Sequence, residues 1–267
     1  MRFAGAGRFF FVVGLSGWGW RAVFFVKGEA VNGRCYVFFD MDDTLIEWTV
    51  SWREAFLHVA GEFGVETTRD KAKQALDEAF ATVYSDLLRE YSRSGDELGF
   101  WLAFDGRILE LMGLRQNLRE AAERVVDLLK RPEAIRLYAE VPEVLGALSE
   151  MGLSLGIVTG RPKAEPDLQV LGVRQFFHPL IDGFAAGGAK TERRMFEIAA
   201  QAAAEAGLPA WHVGDLYDED VVGARSAGIR PVLVDRRGEH PKPDCPRVTD
   251  LRDLPAIILE PGLEVES

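Results

Sequence analysis

Acidic and hydroxyl residues stand directly after short apolar runs at three places in this 267-residue chain, and a lysine stands in a glycine turn. Asp40, Asp42, Asp43 and Thr44 follow Tyr36-Val37-Phe38-Phe39. Thr159 and Arg161 follow Leu155-Gly156-Ile157-Val158, and Asp215 follows Trp211-His212-Val213-Gly214. Lys190 comes after Gly187-Gly188-Ala189. Carboxylates forced together repel one another unless a hard cation joins them, and an oxygen donor set selects Mg2+. A carboxylate held beside Mg2+ and a lysine can attack phosphorus, while the lysine and the metal offset charge on the phosphoryl oxygens in the transition state. Each residue also has an ordinary role to be weighed. An Asp pair can close a turn and a Thr can cap a helix. Asp218, Glu219 and Asp220 suit the first turn of any helix through its dipole.

For these residues to act together, the fold must carry them to one edge. The runs at 36–39, 153–158 and 211–213, the Pro231–Val234 run and a weaker one near Leu180–Phe184 predict strands. Helical patterns around Val144–Leu148, Pro166–Leu171, Glu192–Ala206 and Asp218–Ala227 alternate with them, which implies βαβ units and a parallel sheet. In such a sheet ligands bind at the carboxyl ends of the strands. Between the first strand and Pro142 only helical spacing is present. It covers Trp52–Phe63, one long helix over Ala75–Tyr91, Leu98–Leu111 and Leu118–Leu129. The expected fold class is therefore α/β: a doubly wound, parallel-sheet, Rossmann-like core (34–47 and 141–260) with an all-helical cap (48–140) inserted after the first strand. Phe100, Trp101 and Phe104 are expected in the core of that cap.

Hydrophobic residues are 48% and charged residues 27%, an ordinary balance for a globular chain with a core. A net charge of −11 makes nucleic acid and anionic membrane surfaces poor partners, and a phosphorylated substrate would need positive charge built into its site. Cys35 and Cys245 make no disulfide framework, which suits a reducing cytoplasm, and the scattered histidines give no zinc spacing. Arg2 and Arg8 before Phe9–Leu15 are weakly reminiscent of a secretory signal, but Gly14, Gly17 and Gly19 interrupt the apolar run. Residues 1–33 are expected to be an extension without chemistry, disordered or preceding a true start near Val31.

Taken in order, the motifs resemble those of the haloacid dehalogenase superfamily, in its phosphoglycolate-phosphatase-like group with a helical cap. Asp40-Met41-Asp42-Asp43-Thr44 resembles the first motif, D-x-D-x-T, and Thr159 the second. Lys190 resembles the third, and Gly214-Asp215 through Asp220 the fourth, GDxxxxD. The resemblance implies roles. Asp40 would be nucleophile and metal ligand. Asp42 would be general acid/base, its backbone carbonyl reaching the metal. Thr159, with Gly160 beside it, and Lys190 would hold phosphate oxygens. Asp215 would ligate Mg2+, with Asp220 as a second acidic support. The substrate implied is a small phosphorylated metabolite. Three positions depart from the common pattern: Asp43 stands for Gly, Thr191 for Pro, and Thr159-Gly160-Arg161 for Ser-Asn-Gly. Arg161 becomes a candidate for a phosphate or substrate contact. A phosphomutase shares all four motifs. A haloacid dehalogenase lacks the second Asp of the first motif, and a phospho-acceptor signalling module lacks the cap.

Overall fold

The computed structural model describes residues 35–240 and 242–259, and the backbone of two short strands nearer the start of the chain. Those two, β1 (Phe10–Leu15) and β2 (Trp20–Phe25), pair antiparallel within a unit of their own, Met1–Gly33. The remainder of the expected extension lies outside the described residues.

The second unit opens on β3 (Tyr36–Phe39), whose Val37, Phe38 and Phe39 are fully buried. A continuous apolar run suits a strand covered on both faces. After a tight turn come β4 (Ile46–Trp48) and the cap helices α1 (Trp52–Glu62), α2 (Arg69–Thr82), α3 (Tyr84–Ser92), α4 (Glu97–Met112) and α5 (Leu118–Leu129). The return strand β5 (Ile135–Leu137) pairs antiparallel with β4, so a two-stranded ribbon carries the chain into and out of the cap. The chain then alternates through α6 (Val141–Glu150), β6 (Ser154–Val158), α7 (Glu165–Val170), β7 (Phe177–Ile181), α8 (Gly183–Ala186), α9 (Arg194–Glu205) and β8 (Ala210–Gly214). It ends with α10 (Val222–Ser226), β9 (Arg230–Val234), β10 (Arg247–Val248) and α11 (Leu254–Leu259).

Six of these strands form one parallel sheet in the order β10-β9-β8-β3-β6-β7. One face buries Val144, Leu145 and Leu148 of α6, Leu168 of α7 and Leu254 of α11. The other buries Met195, Phe196 and Ala199 of α9 and Ala224 of α10. Helices thus cover both faces, the doubly wound arrangement expected. The cap has its own core, built from α1 to α5 around Phe56, Phe100, Phe104 and Ile108. Among the described residues no helix is long and apolar enough to cross a membrane.

Two expectations need correction. The helix read over Ala75–Tyr91 is two helices, because Val83 leaves helical geometry at φ −121° and ψ −18°. The break turns Tyr84 and Leu88 inward, and both are buried. The strand read near Leu180–Phe184 lies earlier, at Phe177–Ile181. Asp182 ends it by capping α8, its Oδ1 accepting from the Ala185 N–H at 2.9 Å.

The turn after β3 explains one departure in the first motif. Asp43 has φ 50°, in the left-handed region that glycine occupies without steric cost. The turn is held by Asp43 N–H donating to Ile46 O at 2.9 Å and Ile46 N–H to Met41 O at 2.8 Å. Aspartate is among the few other residues that tolerate this conformation. Asp43→Gly is expected to keep stability within about 1 kcal/mol, whereas the branched Asp43→Val should lose ~1–2 kcal/mol. Urea unfolding of the three proteins checks this. An equal loss in both variants would shift the weight from the backbone to the bond that the Tyr138 hydroxyl donates to Asp43 Oδ1 at 3.3 Å.

Candidate active site

The register of the sheet gathers the motif residues. Phe39 of β3 lies opposite Ile157 of β6 and Val213 of β8, so the three strands end within one residue of one another. Asp40 continues the ladder, its N–H donating to Val213 O at 2.9 Å, and Thr159 N–H donates to Ile181 O at 3.0 Å. Asp40, Thr159 and Asp215 therefore emerge side by side at the carboxyl edge, where the strand order reverses around β3. Lys190 enters from the turn after α8, which Gly187 closes at φ 68°. Its Nζ lies 2.5 Å from Asp40 Oδ1 and 2.5 Å from Asp220 Oδ1.

Asp220 reaches that position from a π-helical turn, Tyr217–Val221, between β8 and α10. A Cβ on Gly214 would come within 2.1 Å of the Asp220 Cγ, so the first residue of the fourth motif must lack one. Asp220 is buried with both oxygens occupied. Oδ1 meets Lys190 and the His212 Nε2 at 2.6 Å, and Oδ2 accepts from the Leu216 N–H at 2.9 Å. Asp220, expected as a second acidic support beside the metal, thus has both oxygens engaged within the protein, and its charge reaches the site through Lys190. His212 is fully buried beneath Phe196, edge to face at 4.9 Å, and burial holds it neutral.

The electrostatics divide the carboxylates into two groups. Burial alone would raise Asp220, but Lys190 and His212 hold it well below the usual carboxylate range. Burial also opposes the charge on Lys190, yet Asp220 and Asp40 keep it firmly protonated. Asp40 and Asp215 are not compensated in this way. Burial, only partly offset by Lys190, pushes Asp40 up to about 7. Burial and the neighbouring Asp40 and Asp220 push Asp215 up to about 8. A buried acid and a half-buried one beside it, both crowded by further carboxylates, form an oxygen donor pair whose ionised form fits a hard divalent cation. Only two side chains are involved, the third protein donor implied being the Asp42 backbone carbonyl. Accordingly, among the described residues no cluster of three or more His, Cys, Asp or Glu side chains is arranged to hold a metal.

Asp42 is held from a direction the sequence did not reveal. Arg161 grips it with two bonds, Nε to Oδ2 at 2.8 Å and Nη2 to Oδ1 at 2.5 Å, and Trp48 Nε1 donates to Oδ1 at 2.6 Å. Arg161 is itself buried, is also bonded to Asp167, and lies 5.0 Å from the Trp48 ring centroid. Its guanidinium is thus committed to Asp42 and Asp167 instead of standing free for a phosphate. Burial would raise Asp42, but the charge and hydrogen bonds of Arg161, with the bond from Trp48, bring it below its ordinary range. Its side chain remains 40% exposed, open toward the cavity.

That cavity, about 640 Å³, lies between cap and core. Its core end carries Asp40, Asp42, Thr159, Gly160, Lys190 and Asp215, so the expected site residues other than Asp220 share one space. The cap closes the other end with aromatic rings. Trp101 faces the cavity while Phe100 and Phe104 are fully buried, so the aromatic cluster read as cap core divides between the two roles. Cap and core touch where the Tyr84 hydroxyl donates to Gly160 O at 2.8 Å.

Comparison with known proteins agrees with this architecture. The family model described as haloacid dehalogenase-like hydrolase matches residues 36–228. The chain is 30% identical to a phosphoserine phosphatase of Thermus thermophilus over 80% of its own length and 95% of the relative's. It is also 30% identical to a glyceraldehyde 3-phosphate phosphatase of Methanopyrus kandleri, over 76% of this chain and 84% of that one. In fold it is similar to a Bacillus subtilis hydrolase of this type solved bound to magnesium, with a TM-score of 0.60 and 16% identity over 85% and 99% of the two chains.

The raised acids set a pH dependence. Asp40 and Asp215 bind protons more tightly folded, at about 7 and 8, than at their ordinary 3.8. Between those values the folded state holds more protons than the unfolded one, so metal-free stability falls as pH rises through that window. A divalent cation that binds the ionised pair removes the loss. The rise in Tm on adding MgCl2 to chelated protein should therefore be larger at about pH 8 than at about pH 5. Thermal unfolding at the two pH values measures it, and an equal rise at both would remove Asp40 and Asp215 from the cation site.

Proposed function

The chain belongs to the haloacid dehalogenase-like hydrolases, and on that footing we propose that it is a Mg2+-dependent phosphatase acting on a small phosphorylated metabolite through a phospho-aspartate on Asp40. The observation that carries this reading is Asp42, a second carboxylate open to the same cavity as Asp40. Displacement of halide from carbon needs no proton donor at the leaving group, whereas an alkoxide leaving phosphorus does. Two relatives named as phosphatases support the same class.

In this mechanism a carboxylate oxygen of Asp40 forms a bond to phosphorus as the bond from phosphorus to the ester oxygen breaks. Lys190 holds Asp40 in place from one side and offsets charge on the phosphoryl oxygens, with the Thr159 hydroxyl and the Gly160 backbone lining the same end. Asp42 gives its proton to the leaving oxygen. It then takes one from the water that attacks the aspartyl phosphate, which releases inorganic phosphate and restores the Asp40 carboxylate. Mg2+ bound by Asp40, Asp215 and the Asp42 carbonyl would supply the positive charge that lets an anionic nucleophile meet an anionic phosphate. Arg161 and Trp48 favour the ionised, base form of Asp42. A dianionic phosphoryl group arriving beside it raises its proton affinity toward the acid form that the first step uses.

The two carboxylates should fail differently when replaced. With an aryl phosphate, whose leaving group needs no proton, Asp40→Asn should show no turnover and no covalent adduct. Asp42→Asn should slow release of phosphate by roughly 10²–10⁴-fold while still forming the phosphoenzyme. Acid quench and intact-protein mass spectrometry then find one added phosphoryl group in the Asp42 variant and none in the Asp40 variant. Phosphorylated Asp40→Asn protein would overturn the assignment of the nucleophile.

A further inference from the structure

One carboxylate in the cavity is used by nothing described so far. Asp105 lies on α4, one turn after Trp101 and beside Phe104. It is 1% exposed and lines the cap end of the cavity, and its Oδ1 has no hydrogen-bond partner among the described residues. An unpaired buried acceptor costs free energy, and a leucine would fill the same space at lower cost. Neighbours that could satisfy it are committed elsewhere. The Tyr84 hydroxyl donates to Gly160 O, and Lys130 Nζ bonds Glu97 Oε1 at 2.9 Å while lying 4.8 Å from the Trp101 ring centroid.

Aromatic rings surround the approach to Asp105 in a connected series. Trp48 meets Trp52 at 5.4 Å between centroids, Trp52 meets Trp101 at 5.7 Å and Phe80 at 6.4 Å, and Phe80 meets Tyr84 at 4.9 Å. Phe80 is 47% exposed although it borders the cavity. Ring faces attract cations, and a carboxylate within such a wall accepts charge-assisted hydrogen bonds from an ammonium. A neutral hydroxyl would satisfy the oxygen but gain nothing from the rings.

We propose that Asp105 and the rings around it bind a primary ammonium on the leaving group, so that the preferred substrates are phosphate monoesters of amino alcohols. This inference rests on the phosphatase reading of the same cavity. The phosphate lies at the core end against Lys190 and Thr159, and the ammonium lies at the cap end against Asp105. Without ligand, burial keeps Asp105 protonated well above the usual carboxylate range, which is how the free protein accommodates it; an ammonium alongside restores its charge.

The test compares kcat/KM for ω-aminoalkyl phosphates of increasing chain length with the matched alkyl phosphates, and uses para-nitrophenyl phosphate as a reference, all with Mg2+. The wild-type enzyme should prefer one aminoalkyl ester over its alkyl match by roughly 10- to 100-fold, the worth of a hydrogen bond to a charged group. In Asp105→Asn that ratio should collapse toward one, and Tm should stay level, because the amide keeps the shape of the protonated acid. A purely structural Asp105 would behave in the opposite way, with Tm falling and the ratio unchanged. Wild-type ratios near one along the whole series, with the aryl ester still hydrolysed, would overturn the ammonium site and leave the phosphatase standing. Absence of turnover on every ester, the aryl phosphate included, would overturn both.

Discussion

Four aspartates, Asp40, Asp42, Asp215 and Asp220, crowd the carboxyl edge of the sheet, and the arrangement of their neighbours follows from keeping them together. Crowded together and wholly or partly buried, like charges cannot coexist uncompensated. The protein supplies two cations, and each spans a pair of acids. Lys190 bridges Asp40 and Asp220, and Arg161 bridges Asp42 and Asp167. What is left over is negative charge concentrated on Asp40 and Asp215. Five carboxylates thus share two protein cations, and the charge left over at Asp40 and Asp215 is what a divalent ion would balance. A nucleophile needs that condition, since a carboxylate fully committed to a protein cation would be a poor one.

Backbone geometry is shaped by the same crowding. Asp220 must reach under the strand ends to meet Lys190, and a π-helical turn brings it there while Gly214 makes room for its carboxyl. Asp43 accepts a left-handed conformation so that the chain can turn sharply after Asp42 and enter the ribbon leading to the cap. His212 sits on the middle of a buried strand as a neutral donor to Asp220, which explains a polar residue in an otherwise apolar stretch.

The fold class and the edge that gathers Asp40, Thr159 and Asp215 were legible because each of these three follows an apolar run, and such runs are strands whose ends align in a parallel sheet. What was not legible depends on contacts between distant segments. Arg161 was visible as a residue, but its grip on Asp42 spans 119 positions of sequence and depends on the loop after β6 folding back. The break at Val83 was hidden because apolar spacing continues through it, and tertiary contacts of Tyr84 override the local pattern. Asp105 did leave a trace. Trp101, Phe104, Ile108 and Met112 mark the buried face of α4, and a carboxylate beside Phe104 in phase with them contradicts the pattern of an amphipathic helix. Such a local inconsistency is what the ammonium proposed at the cap end would explain.

Contacts between the two halves fall on or beside the residues proposed to do the chemistry. Trp48 stands on the ribbon strand β4, bonds Asp42, lies over Arg161 and packs edge to face on Trp52 of α1. Tyr84, at the start of α3, bonds the Gly160 carbonyl next to Thr159. Movement of the cap would therefore disturb Asp42 and the loop after β6, because Trp48, which lines the cavity, also donates to the carboxylate proposed as acid/base. On the proposed mechanism, occupancy of the cap end would bear on Asp42 through Trp48, and a substrate that fills only the phosphate end would forgo that coupling. On this geometry the selection of the leaving group and the proton transfer to it are two effects of a single set of contacts.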